Sequence, residues 1–453
     1  MSRVRRRNKS YPRGTVTIED LADKAQGVGH DSTGKTVFVR DALPGERVEY
    51  QPRRRKPNYD QADLIRVLDP SPDRVEPRCA HFGVCGGCAL QHASLAAQSQ
   101  YKQSQVLDAL ERIGAVCPQA VNPPITGPGW YYRRRARLGV KYVPKKGGTL
   151  VGFRERSSSF LAQLERCHTL VPDVGERLTE MARLIDGLSI REHIPQIEVA
   201  AGDNVTALVF RVLEPPSDSD QARLLEFSRR FGFAIYLQPG DEGTIKPLLD
   251  SPSLYYDLPN HDARLFFAPS DFVQINGQVN ARLVDVIIEA LEIRPEDDVL
   301  ELFAGLGNLS VPLARRAHSV TAIEGEAALV ERARTNASVN SVDNVRHFHA
   351  NLFVPGDEPE WAGCYDHVVI DPPRAGAAEV LSLVASTGAR RVVYCSCHPA
   401  TLARDAGVLE HIHGYRLSRL VVADMFPHTA HVESVAVFDL DRSSVSHGKR
   451  LQA

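Results

Sequence analysis

A thiol and two carboxylates occupy the positions in this chain where chemistry is easiest to place. Cys397 closes the apolar run VVYCSC and is followed by His398-Pro399 and a helical pattern, ATLARDAGVL. Its sulfur is therefore expected at a helix N-terminus, an environment that lowers a thiol pKa and favours the nucleophilic thiolate. Cys395, two residues earlier, reads as a buried structural cysteine. Glu433 enters the apolar run ESVAVF amid His428 and His431, and a carboxylate there is either a solvated strand end or a general base. Asp371-Pro372-Pro373-Arg374 follows the apolar run HVVI. Pro-Pro stops a strand whatever its function, yet open α/β sheets bind ligands at that strand edge. The segment VLELFAGLGN, residues 299–308, reads as a strand entering a Gly-rich turn and a helix, LSVPLARRA. Gly305 and Gly307 let the backbone turn tightly and approach a ligand beside that helix. The next strand ends in Glu324, 17 residues past Gly307, where an acid can accept both hydroxyls of an adenosine ribose. Ser310 stands where a dinucleotide fingerprint has its third glycine, so a pyrophosphate fits less well.

The eight cysteines fall at 79, 85, 88, 117, 167, 364, 395 and 397. In a cytosolic chain they are better read as metal or catalytic residues than as disulfides. Cys79, Cys85 and Cys88 cluster in CAHFGVCGGC, and Cys167, in LERCHTLVP, is the expected fourth partner. Four thiolates suit structural zinc or an iron–sulfur cluster. Three close cysteines plus a distant one differ from the paired spacing of zinc ribbons and lean towards [4Fe–4S]. The x5-x2 spacing and the available fourth thiol imply a closed cluster with a structural or RNA-ordering role, unlike the open cluster of a radical enzyme. Cys117 and Cys364 have no partner by spacing and are expected in the core.

These groups need a scaffold. Residues 13–68 read as short strands broken by Gly, Asp and Pro turns, which suggests a small barrel. Its RRRK run, Arg53 to Lys56, is expected on a loop facing a partner. Residues 93–113 have helical spacing, with Val106, Leu107, Leu110 and Ile113 near one face. QIEVAAGDNVTALVFRV reads as a hairpin turned at Gly202-Asp203-Asn204. In WYYRRRARLGVKYVPKK, Tyr131 and Tyr132 adjoin Arg133, Arg134, Arg135 and Arg137, a pattern suited to gripping phosphates and stacking bases or to a basic surface strand. From residue 266 strand-like runs alternate with helical patterns (DDVLELF, SVTAIEG, VRHFHA, YDHVVIDPP, RRVVYCSC, LSRLVVADMF and VESVAVFDL), the signature of a doubly wound α/β domain.

The E-x-F-x-G-x-G form resembles motif I of class I S-adenosylmethionine methyltransferases, whose ligand has no phosphate and no need of a third glycine. A thiolate, a carboxylate base and a methyl-donor site together suit one chemistry. Uracil C5 is too weak a nucleophile to attack a sulfonium methyl unaided, and a thiolate adding at C6 makes C5 carbanionic. After methylation a base removes the C5 proton so that the cysteine leaves. DPPRAG, the Y-x-SC-x-PATLARD block and FPHTAHVE are similar to the uridine-5 RNA methyltransferases over nearly the whole chain. GVGHDSTGKTVFVRDALPGERV resembles a TRAM domain, an RNA-binding relative of the OB-fold.

The TRAM-like front and four-cysteine cluster point to the branch that methylates 23S ribosomal RNA, with uracil 1939 as its target. By that resemblance Cys397 is the nucleophile and Glu433 the base, while Gln274, Phe303, Asn308, Glu324, Asn351 and Asp371 line the S-adenosylmethionine site. A [4Fe–4S] cluster on Cys79, Cys85, Cys88 and Cys167 is implied as well. Ala304 stands where many relatives have Cys, and His398 where many have Asn; neither change removes a group the mechanism requires. The implied architecture is a TRAM (OB-like) β-barrel over 10–70, a central α+β iron–sulfur and RNA-binding domain over 71–265, a class I (Rossmann-like) methyltransferase domain over 266–443, and a frayed tail at 444–453. The helical segment 93–118 is expected to pack on the catalytic domain.

Length and composition agree. With 453 residues, at ~100–200 residues per domain the chain holds two to four domains. Its 43% hydrophobic and 24% charged residues exclude collagen-like and disordered classes. No apolar run approaches the ~18 residues of a spanning helix, and MSRVRRRNKS has no apolar stretch behind it, so a cytoplasmic location and a monomer are expected. Residues 1–60 carry 14 Lys and Arg against 8 Asp and Glu, leaving 40 against 48 in the rest. A basic end fits a polyanionic partner, although Arg5, Arg6 and Arg7 alone fit a solvated tail as well. Other readings are uracil-5 methylation of another rRNA or tRNA site, amino-group methylation of a purine, and an RNA-binding iron–sulfur factor without turnover. Arg374 in place of a base-stacking aromatic speaks against the second, and the intact site residues against the third.

Overall fold

A computed structural model describes residues 11–356 and 359–441. Arg5, Arg6, Arg7 and the segment 444–453 lie outside the described residues. The chain forms two units: the described residues up to Tyr101 with Arg154–Ser159 and Pro427–Ala430, and Lys102–Phe153, Phe160–Phe426 and the described residues from His431 onward.

In the first unit six strands, β1 (Gly14–Thr17), β2 (Asp20–Ala22), β3 (Gln26–His30), β4 (Thr36–Arg40), β5 (Arg47–Arg55) and β6 (Tyr59–Asp69), form one sheet in the order β1-β5-β6-β4-β3-β2. Alternate residues point inward, as the two-residue repeat of a strand requires: Val37 and Val39, then Val48 and Tyr50, join Val16, Ile18 and Ala62 in a small core. A Cβ on Gly29 would lie 2.1 Å from the Thr17 carbonyl oxygen, so only glycine allows that crossing. The expected RRRK loop is mostly strand. Arg53–Arg55 end β5, and Arg55 is held 2.9 Å from the buried Asp60. Beyond β6, the buried Glu46 anchors the Cys-rich segment by accepting from Arg74.

The helix α1 (Leu95–Ala109) runs from the first unit into the second. From Lys102 onward it and the wider turn at Leu110–Gly114 pack on the α/β core through Val106 and Leu110. A Cβ on Gly114 would meet the Ala403 carbonyl oxygen at 2.4 Å, and one on Gly407 the Gly114 oxygen at 2.9 Å, so paired glycines permit this backbone-to-backbone contact.

The second unit continues with β7 (Ala120–Val121), β8 (Arg135–Val143), β9 (Gly148–Gly152), α2 (Pro172–Gly175), α3 (Leu178–Asp186), β10 (Gln196–Ala201), β11 (Thr206–Arg211), α4 (Asp218–Phe231), β12 (Phe233–Gln238) and β13 (Lys246–Pro247). Its first sheet has the order β13-β12-β11-β10-β8-β9, and β10 and β11 are the hairpin expected around residues 202–204. Ser217 and Asp220 form a capping box at the start of α4, and Gly232 at φ 74° ends it, as capping rules predict. The ribbon β14 (Leu254–Leu258) and β15 (Ala263–Phe267) leads to α5 (Gly277–Leu291).

The remaining elements are β16 (Asp298–Leu302), α6 (Ser310–Ala314), β17 (Ser319–Glu324), α7 (Ala327–Val339), β18 (Val345–His349), β19 (His367–Ile370), α8 (Leu381–Ser386), β20 (Arg391–Ser396), α9 (Pro399–His411), β21 (Tyr415–Ala423) and β22 (Glu433–Leu440). All seven apolar runs singled out after residue 266 are strands, in the sheet order β18-β17-β16-β19-β20-β22-β21-β7. The strands β16 to β20 run parallel; β16, β17, β19 and β20 are apolar and buried on both faces as parallel sheets demand, while β18, VRHFH, is a partly exposed edge strand. β22 runs antiparallel to both β20 and β21. The chain winds outward from β16 to β18 and returns at β19, so the topological switch point lies between β16 and β19, where open α/β sheets open a binding crevice. Cys395 is buried. Cys117 and Cys364, expected in the core, are both exposed; they lie in connecting segments outside any strand or helix, where no packed face covers them. Among the described residues no helix is long and apolar enough to cross a membrane.

Candidate active site

Four of the residues singled out in the sequence leave the sheet at the same edge. Phe303 follows β16, Glu324 ends β17, Asp371 follows β19, and Cys397 follows β20. Glu433 arrives from the opposite direction because β22 is antiparallel and begins there. Ser396 and Ser434 are register partners, so Cys397 lies one residue beyond that pair on β20 and Glu433 one residue before it on β22.

The glycine turn is built from left-handed backbone. Phe303, Gly305 and Gly307 have φ of 63°, 58° and 98°; Phe303 takes this conformation despite its side chain, a strain typical of functional turns. An added Cβ on Gly305 would meet nothing within 4 Å, which leaves an open cradle beside the turn. Glu324 closes one side of it. Its Oε2 accepts the Gly305 N–H at 2.9 Å and its Oε1 the Glu326 N–H at 2.9 Å, so two amides fix the carboxylate that ribose hydroxyls would need. The Phe303 ring lies 5.9 Å from that of Phe353. Asn351, two residues past β18, is exposed and accepts the Phe353 N–H at 3.0 Å. Gln274 is half-buried in the segment before α5.

Asn308 is engaged by the protein itself. It exchanges two 3.0 Å hydrogen bonds with Asn280 and accepts from the Tyr256 hydroxyl at 2.9 Å. Its amide thus ties the glycine turn to α5 and β14, and a role in the cradle would be to shape it. Glu301, the first residue of the E-x-F-x-G-x-G form, was given no role of its own in the sequence reading. It is buried in β16, and Ser310 Oγ donates to it at 2.5 Å. Burial, with added repulsion from Asp371 and Glu324, pushes its carboxyl up to about 8. The signal was legible as one charge inside the apolar run VLELF.

Electrostatics at the sheet edge reverse one expectation. The Cys397 thiol is pushed up to about 11, first by burial and then by the charges of Glu433 and Asp371, with Arg374 opposing. Cys397 does precede α9, but desolvation beside two carboxylates outweighs the helix N-terminus, so the substrate-free protein carries a thiol and not the expected thiolate. Burial likewise raises Glu433 to about 8, with Asp371 adding and Arg374 opposing, and burial raises Asp371 to about 6. The loop leading to Glu433 is braced at Asp424, which Lys102 Nζ reaches at 2.5 Å while also donating to the Phe426 carbonyl at 2.9 Å. Both side chains are buried.

Two other expectations fare differently. Several side chains of the Tyr131–Arg137 segment are engaged by the protein itself. Tyr132 is buried, and the Tyr131 hydroxyl donates to Glu176 at 2.8 Å. Arg134 pairs with Asp203, Arg135 donates to the Pro269 and Ser270 carbonyls, and the exposed Arg137 donates to Glu198 at 3.1 Å. Cys79, Cys85, Cys88 and Cys167 are all half-buried, and the Gly87 N–H points at Cys85 Sγ from 3.4 Å, a contact that suits a thiolate ligand. Nevertheless, among the described residues no group of three or more His, Cys, Asp or Glu side chains is disposed to hold a metal ion.

Comparison with known proteins places this edge in context. The family model described as tRNA (uracil-5-)-methyltransferase matches residues 204–351 and 362–440, and the TRAM domain model matches residues 13–64. The 23S rRNA (uracil(1939)-C(5))-methyltransferase RlmD of Alkalilimnicola ehrlichii is 51% identical over 438 residues, 96% of this chain and 98% of the relative. The enzymes of the same name from Methylococcus capsulatus and Xanthomonas axonopodis pv. citri are 47% and 44% identical, over 93% and 97% of this chain and 96% and 100% of their own lengths. The crystal structure of Pyrococcus abyssi tRNA (uracil-54, C5)-methyltransferase in complex with S-adenosyl-L-homocysteine superposes with a TM-score of 0.72 at 24% identity, covering 94% of this chain and all of the other. That likeness extends the shared fold across both units.

Proposed function

The chain belongs to the tRNA (uracil-5-)-methyltransferase family, and on that premise we propose that it transfers a methyl group from S-adenosylmethionine to C5 of a uracil in 23S ribosomal RNA, uracil 1939, through a covalent cysteine adduct. The family and its nearly full-length RlmD relatives support the substrate class. The observation that carries the mechanism is the meeting of Cys397 and Glu433 at the ends of paired, oppositely running strands beside Asp371.

S-adenosylmethionine, when bound, supplies an electrophilic sulfonium methyl group. Glu324 is placed to accept ribose hydroxyls at the Gly305–Gly307 turn, with Phe303, Gln274, Asn351 and Asp371 around the same cradle and Asn308 holding the turn in shape. Cys397 Sγ gives up its proton to solvent and bonds to uracil C6, and the C5–C6 π pair moves to C5. C5 then bonds to the methyl carbon as the carbon–sulfonium bond breaks, leaving its electron pair on sulfur as S-adenosylhomocysteine. Glu433 takes the proton from C5, the C5–C6 double bond re-forms, and the Cys397 thiolate departs. Because Cys397 is half-buried, the target base must leave its stack to be reached, so a single-stranded or loop segment is the substrate. The [4Fe–4S] reading of Cys79, Cys85, Cys88 and Cys167 rests on their spacing and on the family resemblance.

The test uses 23S rRNA fragments substituted with 5-fluorouridine. Fluorine at C5 cannot leave as a proton, so with S-adenosylmethionine the protein should gain an RNA-linked mass that Cys397→Ala abolishes. Methyl transfer to ordinary RNA without any adduct would sink the thiol mechanism. A methyl group mapped to a different uridine would sink the site assignment.

A further inference from the structure

The loop after Asp371 and the helix after Cys397 belong to separate βα units, yet one buried carboxylate holds both. Asp405, in α9, has no exposed surface. Its Oδ2 accepts from the Tyr394 hydroxyl on β20 at 2.6 Å and from the Ala377 N–H at 2.8 Å, while its Oδ1 accepts from Arg404 Nε at 2.7 Å. Arg404 also donates to the Ala375 carbonyl at 3.0 Å, and Thr401 Oγ1 donates to that of Arg374 at 3.2 Å. Gly376 completes the contact. At φ +85° an added Cβ would stand 2.5 Å from Arg404 and 2.6 Å from Asp405, so the loop lies directly against the helix. Tyr394 pairs in register with Ile370, the residue before Asp371, and lies three residues before Cys397.

We propose that Asp405 is a positioning residue of the methyl-transfer site, locking the 371–377 loop, through Ala377 and Tyr394, against the strand and helix that carry Cys397. The proposal rests on the uracil-5 reading above. It deepens that reading by assigning to PATLARD a role in geometry: its Thr, Arg and Asp all face the DPPRAG loop. A carboxylate serving only stability would alter unfolding and leave bond formation at Cys397 alone. A clamp must change the chemical step, because displacing a reacting group by about 1 Å costs on the order of 100-fold in rate.

Three substitutions separate these cases. Asp405→Asn keeps a carbonyl oxygen for Tyr394 and Ala377 and gives up only the Arg404 contact. Tyr394→Phe removes one donor and keeps the ring. Asp405→Ala removes everything. Single-turnover adduct formation on 5-fluorouridine RNA is compared with wild type, alongside S-adenosylmethionine affinity by equilibrium dialysis and the thermal midpoint. Asp405→Ala is expected to slow adduct formation by roughly 100-fold and Tyr394→Phe by roughly 10-fold, with affinity for S-adenosylmethionine within about twofold, and Asp405→Asn to recover most of the rate. If Asp405→Ala does not fold, the other two decide. A wild-type adduct rate in Tyr394→Phe, or a loss of roughly 100-fold in Asp405→Asn, would overturn the clamp, whatever happens to the thermal midpoint. A wild-type protein that forms no adduct overturns the underlying reading and the clamp with it.

Discussion

Activity should rise with pH across the neutral range, and the arrangement around Glu433 sets where. The base works only when ionised, and burial together with Asp371 lifts Glu433 to about 8. For a group titrating there, the ionised fraction is roughly a tenth at about pH 7 and nine-tenths at about pH 9, so breakdown of the methylated adduct, the step that needs Glu433 as base, should speed up roughly tenfold between them. The sign is fixed by the direction of the shift: an acid raised by burial loses its proton late, and the active form gains population as pH increases. Cys397, pushed up to about 11, loses its proton in the addition step that precedes methyl transfer, so its titration does not enter the rate of adduct breakdown. The assay is decay of the methylated adduct on ordinary RNA in a single turnover at fixed ionic strength, because phosphate contacts make RNA binding depend steeply on salt. Glu433→Gln supplies the control: adduct should form on ordinary RNA and accumulate, its breakdown no longer following the wild-type limb. A flat or falling wild-type profile from about pH 7 to about pH 9, or an unchanged limb for adduct breakdown in Glu433→Gln, would refute the assignment.

Other perturbations test the surroundings. Arg374→Ala removes the charge that holds both Cys397 and Glu433 down, so the rising limb should move to higher pH and activity return in alkaline buffer; a limb that stays in place contradicts this. Lys102→Met leaves the buried Asp424 without its ion-pair partner, which should cost ~3–5 kcal/mol in urea unfolding, with Asp424→Asn in the same chain recovering part of the loss. Gly114→Ala forces a Cβ to within 2.4 Å of the Ala403 oxygen and should cost ~1–3 kcal/mol, read as a lower thermal midpoint. For the cysteine cluster, protein purified without oxygen should contain about four iron and four sulfide per chain and lose both in Cys85→Ser; iron-free protein ends that reading.

Most of the seven strands of the α/β domain were legible because they are apolar runs bounded by turn residues, and buried parallel strands need no finer pattern; β18, VRHFH, was legible only from the alternation around it. Cys397, Glu433, Asp371 and Glu324 were legible as strand-end residues because strand ends are visible in one dimension. What the one-dimensional pattern hides is desolvation. The position of Cys397 before α9 suggested a lowered thiol pKa, while the carboxylates that raise it come from β19 and β22, remote in sequence. The partners of Tyr131–Arg137 are hidden for the same reason: Asp203, Glu198 and the Pro269 carbonyl lie roughly 60 to 140 residues away, so pairing cannot be seen locally. Cys117 and Cys364 show the converse error, since a lone cysteine carries a prior for burial that its local chain does not enforce.

The antiparallel direction of β22 explains how this sheet can bring a nucleophile and a base together. In a purely parallel sheet every side chain at the binding edge is delivered by a loop leaving a strand, and neighbouring loops diverge into their own helices. Placing Glu433 at the start of β22 instead fixes it through the ladder itself, since Ser434 pairs with Ser396 on one side and with Val422 on the other. Its position relative to Cys397 is then set by backbone register, and a one-residue slip would turn Glu433 to the opposite face of the sheet. Asp371 comes from the neighbouring β19 by the ordinary parallel route, and its loop needs the extra fastening to α9 that Asp405 and Thr401 supply. The base is thus held by sheet register and the Asp371 loop by a side-chain clamp. Substitutions in the clamp should accordingly disturb the chemical step at lower cost to folding than any insertion in β22.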